Sequence, residues 1–105
     1  MDLPNVIAAL TNAQNNFDSV AYSNCFSETA LVRDEGKTHQ GRIKIQEWIK
    51  KANEEYQTKM KLLEYSKTAA VLKAEISGNF PGSSIVLSYH FEFKDGLIQS
   101  LTITT

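Results

Sequence analysis

The chain has 105 residues, 42% of them hydrophobic and 22% charged, which suits one domain with one core and is too short for two. Its formal net charge of -1, with both signs interspersed, offers no basic face for nucleic acid or anionic lipid. No apolar run approaches the roughly 18 residues of a membrane-spanning helix, so neither nucleic acid nor membrane is an expected partner. A single domain over residues 1–105 is expected. Cys25 is the one cysteine, so no internal disulfide forms, and with Tyr22 and Phe26 beside it the thiol reads as packed rather than reactive. Met1-Asp2-Leu3-Pro4 lacks the positive start of a secretory leader, which makes the cytoplasm the expected location.

Asp2 is placed to cap a first helix, in which Val6, Ile7, Leu10, Ala13 and Phe17 recur on one face. Asn15 and Asn16 end it. Asp18 caps a second, short helix whose apolar side is expected to carry Val20, Ala21 and Phe26. Ala30 to Asp34 reads as a strand, Glu35-Gly36 as a turn and Lys37 to Gln40 as the return strand, before Gly41 breaks the chain. A longer helix follows, with Ile45, Trp48, Ile49, Ala52 and Tyr56 at helical spacing and lysines and glutamates on the remaining positions.

From Gln57 the period changes to two, and the rest of the chain divides into four strands of a meander. Pro81-Gly82 and Asp95-Gly96 supply strong turn chemistry, Lys67-Thr68 a weaker one. With Pro81-Gly82 as a two-residue loop, Ile76 opposes Leu87, Ala74 opposes Tyr89, Leu72 opposes Phe91 and Ala70 opposes Phe93. With Asp95-Gly96 treated alike, Phe93 opposes Ile98, Phe91 opposes Ser100 and Tyr89 opposes Thr102. Both turns put the aromatics on one face, which the helices must cover, giving an α+β fold. The other face carries Lys73, Glu75, Ser88, His90, Glu92 and Gln99 with Val71, Val86, Leu97, Leu101 and Ile103 among them, a mixture suited to a homodimer through the outer sheet face. The weak Lys67-Thr68 turn leaves open which of Leu62 and Leu63 points inward.

Three stretches carry a family resemblance: Asn24-Cys25-Phe26-Ser27-Glu28-Thr29-Ala30-Leu31-Val32-Arg33-Asp34, Gln40-Gly41-Arg42-Ile43-Lys44-Ile45 and Phe93-Lys94-Asp95-Gly96-Leu97-Ile98-Gln99-Ser100-Leu101. With the order of elements, they resemble the SnoaL-like, nuclear transport factor 2-like superfamily, which includes ketosteroid isomerases and scytalone dehydratases. The resemblance spans nearly the whole chain and implies a cystatin-like conical α+β barrel around a pocket. None of the three stretches is a catalytic signature, and the fold hosts enzymes, binding modules and adaptors alike.

Asp34 falls where the ketosteroid isomerases carry the carboxylate that moves a proton beside a carbonyl. Alternation puts it on the strand face of Ala30 and Val32, and an apolar pocket mouth would raise its pKa toward that of a general base; the competing reading is a solvated acid at a hairpin end. The family's tyrosine and aspartic acid donors to the enolate oxygen fall on Leu10 and Tyr89, so the usual steroid chemistry is not expected and Tyr89 survives as one donor of different geometry. His39, opposite Val32, is a diagonal neighbour of Asp34 at roughly 7 to 8 Å, close enough for an Asp-His pair or equally an exposed loop histidine. The expected catalytic residues are thus Asp34, His39 and Tyr89. The expected ligand-binding residues are Val32, Trp48, Tyr56, Ala74, Phe91, Phe93 and Ser100, the small Ala74 leaving volume for a cavity.

No histidine or cysteine pair has metal-ligand spacing, no glycine-rich loop follows a strand and no serine sits in a nucleophile elbow, so neither metal nor cofactor is expected. The expected partner is a small apolar or carbonyl compound. Two functions fit it: a proton-transfer isomerase, cyclase or dehydratase, or a non-catalytic dimeric binding or adaptor module.

Overall fold

Ile7, Leu10 and Ala13 form the buried side of the first helix, α1 (Asn5–Asn15), at the spacing the sequence predicts. The computed structural model describes residues 2–105. Pro4 rather than Asp2 occupies the N-cap, its carbonyl accepting from the Ile7 and Ala8 N–H groups, while Asp2 meets Lys67 at 3.5 Å on the surface. The helix ends in a Schellman turn. Phe17 takes a left-handed φ of 54°, its N–H donating to Gln14 and that of Asp18 to Ala13. Phe17 is thereby turned off the helical face and is 40% exposed, outside the core it was expected to join.

The Asp18 carboxylate accepts from the Ala21 N–H at 3.0 Å and caps α2 (Ser19–Ser23). This single turn buries Tyr22 and Ser23, not Val20. Phe26 already belongs to β1 (Phe26–Asp34), which starts four residues earlier than the sequence suggests. Ala30 and Val32 are fully buried on one face of β1, with Asp34 next along it. β2 (Lys37–Gln40) returns in the expected register, Asp34 opposite Lys37 and Val32 opposite His39. Gly41, at φ 88°, then turns the chain into α3 (Arg42–Tyr56), where a side chain would strain the backbone. Ile45 and Ile49 anchor α3 in the core, each worth about 2 kcal/mol of apolar burial. Trp48 and Ala52 are partly buried beside them, and Tyr56, at the C-terminal end, is 37% exposed.

The meander is β3 (Lys59–Ser66), β4 (Val71–Ser77), β5 (Ile85–Lys94) and β6 (Leu97–Thr104). Together with the first hairpin it makes one six-stranded, curved and unclosed sheet in the order β2-β1-β6-β5-β4-β3, parallel only between β1 and β6. The helices pack on its inner face, an α+β fold.

Each predicted register is corrected in a different way. The loop between β4 and β5 is longer than Pro81-Gly82, so Ile76 opposes Ile85, Ala74 opposes Leu87 and Leu72 opposes Tyr89. The slip is two residues, and because side chains alternate with period two the inner face is unchanged. Ala70 lies outside β4 at φ 54° and does not oppose Phe93. The β5–β6 pairing starts as expected, with Phe93 opposite Ile98, but a bulge then sets Glu92 opposite Ser100, Phe91 opposite Leu101 and Tyr89 opposite Ile103. One extra residue reverses the facing. Leu101, expected outside, is fully buried, and Ser100 is turned outward, where its hydroxyl donates to Glu92 at 3.0 Å. A second bulge, between Leu62 and Glu64, settles the third strand: Met60, Leu62 and Tyr65 oppose Ile76, Ala74 and Leu72, and Leu63 is left 45% exposed.

Candidate functional site

Between the helices and the inner face of the sheet lies a cavity of about 780 Å3, within the range of small-molecule sites. α3 contributes Trp48, Ile49, Ala52 and Tyr56; β3 and β4 contribute Met60 and Ile76; β5 and β6 contribute Ile85, Leu87, Tyr89 and Ile103. Phe80 and Pro81 reach in from the loop after β4, with Phe80 set edge-on against Tyr56 at 6.3 Å between ring centres. The wall is predominantly apolar. Its polar side chains include Asp34 at the end of β1 with Glu35 beside it, Tyr22 on α2, Tyr89 on β5, Thr104 and Thr105 at the end of the chain, and the pair Gln14 and Thr58 toward the start of β3.

Asp34, Ile103 and Tyr89 lie in one row across β1, β6 and β5, since Arg33 pairs with Thr102 and Tyr89 with Ile103. Burial raises the Asp34 carboxyl above the ordinary aspartate range. The neighbouring Glu35 charge adds to this, and a hydrogen bond from the Glu35 backbone opposes it. Tyr89, 6% exposed, has its phenol pushed upward first by burial and then by the Asp34 charge. Tyr22, 2% exposed, is raised by burial foremost and then by Tyr89, Cys25 and Asp34. Each phenol therefore feels the same carboxylate, and both remain protonated donors at neutral pH. Neither hydroxyl has a protein hydrogen-bond partner among the described residues, yet no fully sealed side-chain polar atom is left unpaired. Both hydroxyls must then open onto free space, and for these residues that space is the cavity.

Of the residues singled out from sequence, Asp34, Tyr89, Trp48 and Tyr56 line the cavity. Val32, Ala74 and Phe91 are packed in the core instead, one step deeper along their strands. Phe93 is 38% exposed beyond the other end of Phe91, with which it stacks, and Ser100 faces outward because of the β6 bulge. His39 keeps its predicted place opposite Val32 but does not pair with Asp34. Its ring stacks on Trp48 at 5.1 Å, and burial followed by the Lys37 charge lowers its pKa. The two side chains share no hydrogen bond, and His39 is not part of the cavity wall.

Sequence reasoning missed Tyr22 and Gln14. Gln14 was legible in principle: it lies four residues after Leu10 and seven after Ile7, on the buried side of α1, where a polar residue is an anomaly. Tyr22 carried no such signal, because α2 is too short for periodicity. Leu10, which falls at the family's tyrosine position by count, is fully buried core, and a phenol reaches the cavity from α2.

In overall geometry the chain matches a proposed polyketide cyclase from Sinorhizobium meliloti at a TM-score of 0.91 and 37% identity, over 99% of this chain and 97% of that one. The chain belongs to the SnoaL-like, nuclear transport factor 2-like superfamily. A cystatin-fold protein from Novosphingobium aromaticivorans superposes at a TM-score of 0.83 with 12% identity, covering 100% of this chain and 99% of that one. A ketosteroid isomerase-like fold from Catenulispora acidiphila, in complex with trimethylamine, does so at 0.81 with 16% identity, over 99% and 87%. These two share the cystatin-like fold. Neither a family model nor a curated protein matches the chain.

Proposed function

We propose that this SnoaL-like domain binds a small, largely apolar carbonyl compound and transfers one of its protons through Asp34, as an isomerase, cyclase or dehydratase. The observation that carries the reading is the convergence of one carboxyl of raised pKa and two phenol hydroxyls without protein partners on one apolar cavity. The Asp34 carboxylate takes the proton from the carbon beside the carbonyl, and the electron pair moves onto the carbonyl oxygen. Tyr22 and Tyr89 donate hydrogen bonds to the enolate so formed. The Asp34 carboxylic acid then returns the proton at a second carbon, which isomerises the compound, or to an alkoxide left when the enolate carbon attacks another carbonyl, which closes a ring. The relative from Sinorhizobium meliloti, a proposed polyketide cyclase, supports the class of reaction. His39 receives no role here.

The test is hydrogen exchange in heavy water, followed by NMR at the carbons beside the carbonyl of a bicyclohexyl ketone. The protein is expected to speed exchange, and Asp34→Asn to slow it by about a hundredfold or more. Equal rates for the two proteins would refute proton transfer by Asp34, and binding without exchange would leave a non-catalytic binding module. A homodimer through the outer sheet face is a separate proposal. With Leu101 and Ile103 turned inward it rests on Val71, Val86 and Leu97, and a monomeric mass by light scattering at micromolar concentration would overturn it.

A further inference from the structure

The far end of the cavity holds a second polar pair that proton transfer does not use. The Gln14 side-chain nitrogen donates to the Thr58 carbonyl at 2.8 Å, to the Thr58 hydroxyl oxygen at 2.8 Å and to the Asn53 side-chain oxygen at 3.1 Å. A backbone carbonyl only accepts, so the Thr58 contact fixes which way round the carboxamide sits. Its oxygen, Oε1, is left with no protein donor among the described residues. Gln14 is 3% exposed, and since no fully sealed side-chain polar atom lacks a partner, this oxygen too opens onto the cavity that Gln14 lines. The Thr58 hydroxyl already accepts from Gln14, and its own proton has no acceptor among the described residues. An unused acceptor therefore stands beside an unused donor, the complement of a hydroxyl group, which both donates and accepts.

Strand register sets the spacing between the two ends. Asp34 and Tyr89 lie in the row of Leu72, whereas Thr58 precedes Met60, which is in the row of Ile76 and Ile85. Tyr89 and Ile85 are four residues apart on β5, about 13 Å at the usual strand rise, and Thr58 stands a further two residues beyond the Met60 row, so the two ends are at least that far apart. The wall between them, Leu87 with Ile49 and Ala52 above it, has no polar side chain.

We infer that the natural ligand is two-ended: a rigid apolar skeleton with its carbonyl at Asp34 and a hydroxyl at the other end, donating to Gln14 Oε1 and accepting from the Thr58 hydroxyl. The inference rests on the proposed function for the carbonyl end and assigns Gln14 and Thr58 as specificity residues for the hydroxyl end. Without a ligand hydroxyl these polar groups are desolvated and unpaired whenever an apolar compound fills the cavity, and that cost is the source of discrimination.

Two probes test it by calorimetric titration: a bicyclohexyl ketone bearing a hydroxyl on the ring carbon farthest from the carbonyl, and the same ketone without the hydroxyl. The hydroxyketone is expected to bind about tenfold or more tightly. Gln14→Met should erase that preference by weakening the hydroxyketone and tightening the plain ketone, whose apolar end no longer desolvates an unpaired carboxamide oxygen. Thr58→Val, which removes only the hydroxyl and leaves the backbone carbonyl that holds Gln14, should reduce the preference and keeps the test valid if Gln14→Met fails to fold. Equal binding of both ketones to the wild type overturns the inference alone, as does a preference that survives both substitutions. If neither ketone binds, the carbonyl-binding function falls with it.

Discussion

On three neighbouring strands the inner face changes character over a single two-residue step: Val32 to Asp34 on β1, Phe91 to Tyr89 on β5 and Leu101 to Ile103 on β6. The first of each pair is buried in the core, and the second lines the cavity. Strand geometry is the same at both positions of each pair, so alternation does not make the difference. What differs is the cover. Val32, Phe91 and Leu101 are packed within the core cluster that includes Ile7, Leu10 and Phe26 and do not border the cavity, whereas Asp34, Tyr89 and Ile103 all do, Tyr89 at the edge of that same cluster. The carboxylate and the Tyr89 phenol stand in the first row that the helices do not fill, where burial shifts their pKa values while a ligand can still reach them.

Substitutions on either side of that step sharpen the contrast, the most consequential first. Asp34→Asn should cost about two to three orders of magnitude in exchange rate, measured by NMR on the ketone probe, while leaving the fold intact by circular dichroism. Leu101→Ala should cost about 3 to 4 kcal/mol in urea unfolding because it opens a void in a sealed core, and Ile103→Ala, one row on, only about 1 to 2 kcal/mol because its side chain already borders open space. Parity of the two losses would show that the cavity row is packed shut in solution. Tyr22→Phe and Tyr89→Phe should each slow exchange about tenfold with little change in melting temperature, since neither hydroxyl bonds to the protein.

The smallest effect is one of pH. Burial raises the Asp34 pKa in the folded protein, so the folded state holds that proton more tightly than the unfolded chain does. This favours folding fully below the ordinary aspartate range and is lost as pH rises through the raised value. Asp34→Asn, which cannot ionise, should therefore melt slightly above the wild type at neutral pH, the gap closing as pH falls below the ordinary aspartate range. A wild type more stable than the variant at neutral pH would place the carboxylate in a stabilising hydrogen-bond network rather than at a desolvated cavity wall.

Much of the fold was legible because it depends on chemistry within a few residues. Gly41, the Glu35-Gly36 turn and the period-two strands located their elements, and the Asp34–Lys37 pairing followed from turn length alone. The candidate site was legible only in part. Asp34 and Tyr89 were found by alternation and resemblance, but Ser100 was assigned inward and Leu101 outward, because a single inserted residue in β6 leaves no mark on composition or periodicity. Phe17 was misplaced because three asparagine or aspartate residues around it favour a turn over one more helical step.

By itself the sequence determined an α+β fold with an amphipathic third helix, a meander whose aromatics share one face, and a carboxylate at the end of the first strand. Those properties arise from side-chain periodicity and turn residues, which act over short range. Tertiary structure alone decided how far the helices cover the sheet, and so which residues are core and which are wall. It also decided that Tyr22 joins Tyr89 and Asp34, and that Gln14 and Thr58 face them across an apolar gap. Such placements depend on bulges and on the packing of elements distant in sequence, where one residue or one unfilled row changes the outcome.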